Sequence, residues 1–284
     1  MSNHTPNQSS ADSVVHVSQL FYHPVKSLGS VGAKTLQIAQ MGPLLDRRFM
    51  LVDENGVFIT QRECPFMTLI HVSDDSGVLS FSFKNPESNV SDTCSIAWPD
   101  FAFKGEIKNV TLWDDQVEAQ LINHEINAWL SAILSRSVQL VFINDQTHRQ
   151  VDLEYANIGD STGFADGFPL LLISQASIDF LAQESGILLL AQNFRPNIVV
   201  QGCEAFEEDQ WRKIRIGDIE FDIVKSCSRC VIPSIDLETA EKNKPVMTAM
   251  LKHRRQGKKV YVGQNLIHRG FGDIHINQKI EIIS

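Results

Sequence analysis

The feature that most limits the fold is a crowd of short strand-like runs, each closed by turn residues, filling the chain from residue 14 to 121. Residues 14–21 alternate between apolar and polar. Residues 49–52 and 57–60 flank Glu54-Asn55-Gly56, where an Asn-Gly pair favours a tight hairpin. Runs at 67–72, 78–83, 107–113 and 117–121 continue the pattern. Many short strands between turns predict a small barrel or sandwich.

From Asn123 the period changes. Ile126, Trp129, Leu130, Ile133 and Leu134 fall at i, i+3, i+4, i+7 and i+8, one face of a helix with Asn123 as its cap. The internal boundary is therefore set between 121 and 122. A second helix is expected from Ser174, burying Ile178 and Leu181, and a third between Pro245 and Gly257. Strands are expected at 197–201, 214–216, 219–224 and 279–283, which makes the second part mixed α and β. With no repeat and no low-complexity linker, the two parts are expected to pack closely. Residues 1–12, rich in Asn, Ser and Thr, read as a disordered polar leader without the basic-then-apolar plan of a signal peptide.

A chain of 284 residues can hold one large domain or two ordinary ones. Its net charge of −9 disfavours a general affinity for nucleic acid. No apolar run approaches a membrane span, and the expected location is the cytoplasm. One basic cluster stands out: Lys252, His253, Arg254, Arg255, Lys258 and Lys259. It reads either as a solvated helix end and turn or as a docking patch for an acidic electron-transfer partner. The five cysteines are odd in number and sparse, which fits a reducing compartment. Cys64, Cys94 and Cys203 are solitary and read as small buried hydrophobes.

Cys227-Ser228-Arg229-Cys230 is the sharpest motif. A zinc site would need about four ligands, and no second Cys or His pair stands at suitable spacing. A thioredoxin-like pair normally opens a helix, whereas Val231-Ile232-Pro233-Ser234-Ile235 is a poor helix start. A single reactive thiolate favoured by Arg229, or a purely structural pair, also fits. Lys26, Ser27, Arg47, Arg62, Arg195 and Asn197 lie at the ends of expected strands. Its cations are either surface ion pairs or a set converging on one anionic ligand, because guanidinium forks match phosphate geometry. There is no Walker loop or Gly-rich dinucleotide fingerprint. The nine histidines show no metal-ligand spacing, and His268 and His275 read as ordinary core or surface residues.

The motifs together resemble a known family. His23-Pro24-Val25-Lys26-Ser27, Asp46-Arg47 and Thr60-Gln61-Arg62 look like the MOSC N-terminal β-barrel domain. Asn193-Phe194-Arg195-Pro196-Asn197, Cys227-Ser228-Arg229-Cys230, Ile235-Asp236 and Gly263-Gln264-Asn265 look like the MOSC domain. The resemblance covers nearly the whole chain and is similar in kind to amidoxime-reducing components. It implies a β-rich α+β fold: a barrel-like domain over 13–121 packed against a mixed β-barrel MOSC domain over 122–284 with peripheral helices. It also implies a molybdenum cofactor of the molybdopterin type between the parts, with Cys230 as the molybdenum ligand. Lys26, Ser27, Arg47, Arg62, Arg195, Asn197, Ser228, Arg229 and Asn265 would hold that cofactor. Asp236 would be a proton donor or would orient its loop. The implied activity is reduction of small N-hydroxylated compounds with electrons from a separate flavin, haem or iron–sulfur protein. The alternative is a cofactor carrier or sulfur carrier using Cys230 without turnover. Where relatives commonly read Asp-Pro-x-Thr-Gly, this chain has Asp236-Leu237-Glu238-Thr239-Ala240, and no ferredoxin-type cysteines follow.

Overall fold

Apolar runs without alternation become interior strands. Leu170–Ser174 is buried at every position and lies inside a nine-stranded sheet. The sheet runs Ile280–Ile282, Lys213–Ile216, Ile219–Ser228, Lys259–His268, Leu170–Ser174, Ile198–Gln201, His16–Tyr22, Val31–Ala33, with Arg255–Gln256 paired to Lys259–His268. The computed structural model describes residues 14–85, 91–98, 105–122 and 125–284. The expected leader 1–12 and cap Asn123 lie outside the described residues.

Leu170–Ser174 and Ile198–Gln201 pair in parallel, and the helix Gln175–Ser185 lies in the crossover between them. Ser174 caps that helix by accepting from the Ser177 N–H, and Gly186 closes it at φ 67. Ile178 and Leu181, with Val246 and Met250 of the helix Lys244–Arg254, pack on Ile173, Val199 and Val262 of the sheet. These helices are peripheral, as expected. None among the described residues is long and apolar enough to cross a membrane.

The first part is barrel-like. Phe49–Val52, Gln139–Phe142, Asp115–Leu121 and Ile107–Leu112 form one sheet, and Ile70–Asp75, Val78–Lys84 and Ser91–Ala97 another. Phe49, Met67, Leu79 and Phe81 fill its core. The two parts are interleaved. His16–Tyr22 joins the large sheet, and Thr35–Ala39 pairs with Gly272–His275 from near the other end of the chain.

Several elements differ from expectation, each for a local reason. The helix Glu125–Leu134 buries Ile126, Leu130 and Leu134 in the first part's core. Gln139–Phe142 then pairs with Phe49–Val52 and Asp115–Leu121. The helix and the strand that follow residue 121 therefore pack with the first part, as do Ile143 and Phe164: the new period marked a new element, not a new core. Residues 67–72 split into a 3-10 turn, Pro65–Leu69, and a strand from Ile70, because Pro65 fixes φ and carries no N–H. Residues 57–60 make only bridges, Phe58 to Val52 and Val57 to Thr111. Gly257, at φ 60, turns the hairpin from Arg255–Gln256 into Lys259–His268 rather than ending the helix directly. Arg255 has already left the helix, with φ −77 and ψ 129.

Candidate functional site

The strand Ile219–Ser228 carries the cysteine motif to the edge of a cavity. Its register against Lys259–His268 slips between Ile223 and Lys225 and again between Ser226 and Ser228. Such irregularities re-aim side chains beside sites. Cys227 and Ser228 are the last residues of this strand, Cys230 lies in the following loop, and a 3-10 turn, Ile232–Ser234, comes next. The motif does not open an α-helix, the setting a thioredoxin-like pair uses. Among the described residues no group of three or more His, Cys, Asp or Glu side chains could serve as a metal cage.

Three other site residues sit on left-handed backbone: Ser27 at φ 67, Arg47 at φ 49 and Arg195 at φ 54. For residues with a Cβ this costs about 1–2 kcal/mol each. The surroundings hold them there. Lys26 N–H donates to Phe49 O at 2.8 Å, Arg47 N–H to His23 O at 2.7 Å, and Asn197 N–H to Leu171 O at 2.8 Å. Gly163 is required where it stands, because a Cβ would lie 2.7 Å from Arg47 O.

The cavity has a volume of about 120 Å³ and is partly open to solvent. Lys26, Ser27, Arg47 and Arg62 line it from the first part. Arg195, Asn197, Ser228, Arg229, Cys230 and Asn265 line it from the second. Residues distant in sequence thus converge as the strand ends suggested. Cys227 joins them.

Charge in the cavity is lopsided. Five cations face it, and Asp166 is the one carboxylate among the lining residues. Asp46 lies buried behind, accepting from Arg47 Nη1 at 2.6 Å and from His23 N–H at 2.8 Å. Burial would raise the Asp46 carboxyl, but Arg47 and His23 outweigh it and hold it at about 2. Arg47 also donates to Asn197 Oδ1 at 3.2 Å and to Arg195 O at 2.9 Å. Burial pushes Lys26 down to about 8 despite Asp166. Burial and the neighbouring Arg47 push Arg195 down to about 9.

Two guanidinium nitrogens of the cavity lining have no hydrogen-bond partner among the described residues. Arg195 Nη1 donates to Leu28 O at 2.6 Å, while its Nη2 is buried and unbonded. Arg229 donates through Nε to Val262 O at 2.8 Å and through Nη1 to Phe194 O at 2.9 Å, and its Nη2 is likewise buried and unbonded. Buried donors are rarely left so without a ligand or water to receive them.

Sequence reasoning missed Asp166. Its carboxylate binds Lys26 Nζ and accepts from Arg62 Nη2 at 2.7 Å. Arg62 lines the same cavity as Cys230. The available signal was an acid between Ala165 and Gly167, just ahead of a buried strand. Asp236, by contrast, does not line the cavity. Its carboxylate accepts from the Glu238 and Thr239 N–H groups, each at 2.9 Å, and these hold it below the usual range.

Lys26 and Arg62 hold the Asp166 carboxyl well below the usual range. A depressed folded-state carboxyl adds stability that is present above the unfolded value, about 3.9, and lost as pH falls. Asp166→Asn is therefore expected to flatten the acid side of the stability–pH curve. It should also lower the thermal midpoint near neutrality, because Lys26 loses its anion. Thermal melts of cofactor-free protein across the acid range check this, and an unchanged acid limb would refute the pairing.

Residues 14–137 match the family model for the MOSC N-terminal beta barrel domain, and residues 159–281 match that for the MOSC domain. Mitochondrial amidoxime-reducing component 1 of Homo sapiens is 26% identical over 294 residues, covering 94% of this chain and 82% of that protein. Mitochondrial amidoxime reducing component 2 of Rattus norvegicus is 28% identical over 253 residues, covering 82% and 70%. Molybdenum cofactor sulfurase of Homo sapiens is 25% identical over 271 residues, covering 89% of this chain and 30% of that protein. A solved structure, the YUAD protein from Bacillus subtilis, aligns over 94% of both chains at 10% identity with a TM-score of 0.42. With the two domain models matched in succession and the motifs of both converging on one cavity, the chain belongs to the MOSC family.

Proposed function

We propose that the protein is a molybdenum-cofactor-dependent oxidoreductase that reduces N-hydroxylated compounds. One observation carries the reading: the unbonded, buried Nη2 atoms of Arg195 and Arg229 belong to side chains lining the same cavity as the Cys230 thiol. The donor set fits the cofactor. Lys26, Arg47, Arg195 and Arg229 would take the phosphate and other anionic edges, and Ser27, Asn197, Ser228 and Asn265 the polar edges of the pterin. Cys230 supplies a soft thiolate suited to molybdenum. When bound, the cofactor supplies two-electron redox chemistry beside Cys230.

Reducing an N–OH group to N–H takes two electrons and two protons and releases water. This chain's part is to hold and shield. Arg62 lines the cavity with Cys230, and Lys26 Nζ, brought down to about 8, holds a proton inside it. The electrons come from a separate flavin, haem or iron–sulfur protein. All five cysteines are free, which suits a reducing compartment such as the cytoplasm.

The test is to express the chain in a host that makes the cofactor, then measure bound molybdenum and reduction of a benzamidoxime by a reduced viologen dye. Stoichiometric molybdenum with turnover is expected, and background metal would overturn the reading. Similarity to molybdenum cofactor sulfurase favours a second reading, a carrier holding the cofactor or a persulfide on Cys230. An added sulfur atom on Cys230 by mass spectrometry, without turnover, would select it.

A further inference from the structure

The basic cluster divides into two halves with different surroundings. Lys252 and His253 are answered by Glu184, and Arg254 by Asp209. These three end the helix, where cations suit the dipole. Arg255, Lys258 and Lys259 lie beyond the helix, are exposed, and have no ion pair among the described residues. The helix end does not account for them, because the dipole acts within the last turn. Three like charges on one tight hairpin repel one another, in a chain whose net charge is −9. Nothing lies within 4 Å of where a Cβ on Gly257 would stand, so the tip is unobstructed.

Register places this hairpin beside the cysteine motif. Arg255 pairs with Val260, whose carbonyl accepts the Arg229 N–H at 2.8 Å. Ser228 pairs with the next residue, Tyr261. The hairpin is therefore two strand spacings, roughly 10 Å, from the backbone that leads into Cys230. A positive surface this close to the site is where a negatively charged donor would be steered.

We propose that the hairpin bearing Arg255, Lys258 and Lys259 is the docking surface for an acidic redox protein that supplies the site with electrons. This rests on the reductase reading above. Each turnover draws two electrons from reduced donor, which leaves oxidised, while two protons come from solvent and water is released.

The test uses the molybdenum-loaded full chain and two donors: reduced methyl viologen, a small dye, and reduced flavodoxin, an acidic flavoprotein. In the combined Arg255→Glu, Lys258→Glu, Lys259→Glu variant the dye-driven rate is expected to stay unchanged. The flavodoxin-driven rate should fall by about tenfold or more at low ionic strength. Added salt should slow the wild-type flavodoxin-driven rate and leave the variant's unchanged. Equal flavodoxin-driven rates in the two proteins overturn the docking surface, whereas absent dye-driven turnover in the wild type overturns the reductase reading instead. Binding tests the surface without turnover. Labelled flavodoxin should bind cofactor-free wild-type chain and Arg255→Lys alike, but not the triple variant. Equal binding to wild type and triple variant, or none to either, overturns the proposal.

Discussion

Cys230→Ala is expected to yield a folded chain that no longer retains molybdenum and reduces N-hydroxy substrates only at background. The thiol is half-buried and lines the cavity, so its removal opens little new void in the core. The fold should therefore survive, with a thermal midpoint close to wild type for the cofactor-free chain. Removing an outer partner of a metal site costs about 10–100-fold in affinity, and loss of a direct ligand should cost at least about a hundredfold. Cys227→Ala is the control. Burial pushes that thiol up, with Arg229 only partly opposing it, so it stays protonated and makes a poor ligand. It should keep the metal. Normal molybdenum content in Cys230→Ala, measured by elemental analysis, would refute the assignment.

Arg195→Met should produce two opposite effects. In the cofactor-free chain this guanidinium is buried beside Arg47 with one nitrogen unbonded, an arrangement that costs stability. A methionine of similar reach removes the charge, and the gain should exceed the lost bond to Leu28 O, leaving the cofactor-free chain about 1–2 kcal/mol more stable. The same change removes a charge-assisted contact to the anionic ligand. Cofactor affinity should fall by about 2–4 kcal/mol, roughly 30- to 1000-fold. The pH dependence has a definite sign. Arg195 titrates near 9 when folded against an ordinary 12.5, so the unfolded chain binds the extra proton between these values. Wild-type stability from this group therefore rises with pH across that window, and the variant should lack that rise. Denaturant melts of the cofactor-free chain, paired with metal content of the loaded one, read both effects. A less stable variant with full metal retention would show that Arg195 serves the fold and not the ligand.

Much of the site was legible because its residue types have few other uses. Lys26, Arg47 and Arg195 stood near strand ends, Arg62 followed the bridged residues Val57 and Phe58, and Cys230 followed a strand. Asp166 was not legible, because an acid in a loop becomes meaningful only when Lys26 and Arg62, far off in sequence, are brought to it. Asp236 read from the sequence as either a proton donor or a residue that orients its loop, and its Oδ1 accepts from two backbone N–H groups of that loop. Ala240 adopts φ 62 although it is not glycine, held by its N–H to Asp236 O at 3.0 Å.

The sequence by itself determined the β-rich character, the helices at Ser174 and Pro245, and the identity of the cations and thiol, because periodicity, caps and residue chemistry are local properties. Only the tertiary structure decided that the helix after residue 121 belongs to the first core and that His16–Tyr22 belongs to the large sheet. It also decided which two guanidinium nitrogens are left buried without partners. Burial and pairing depend on what the rest of the chain brings to each residue, and no local pattern records that.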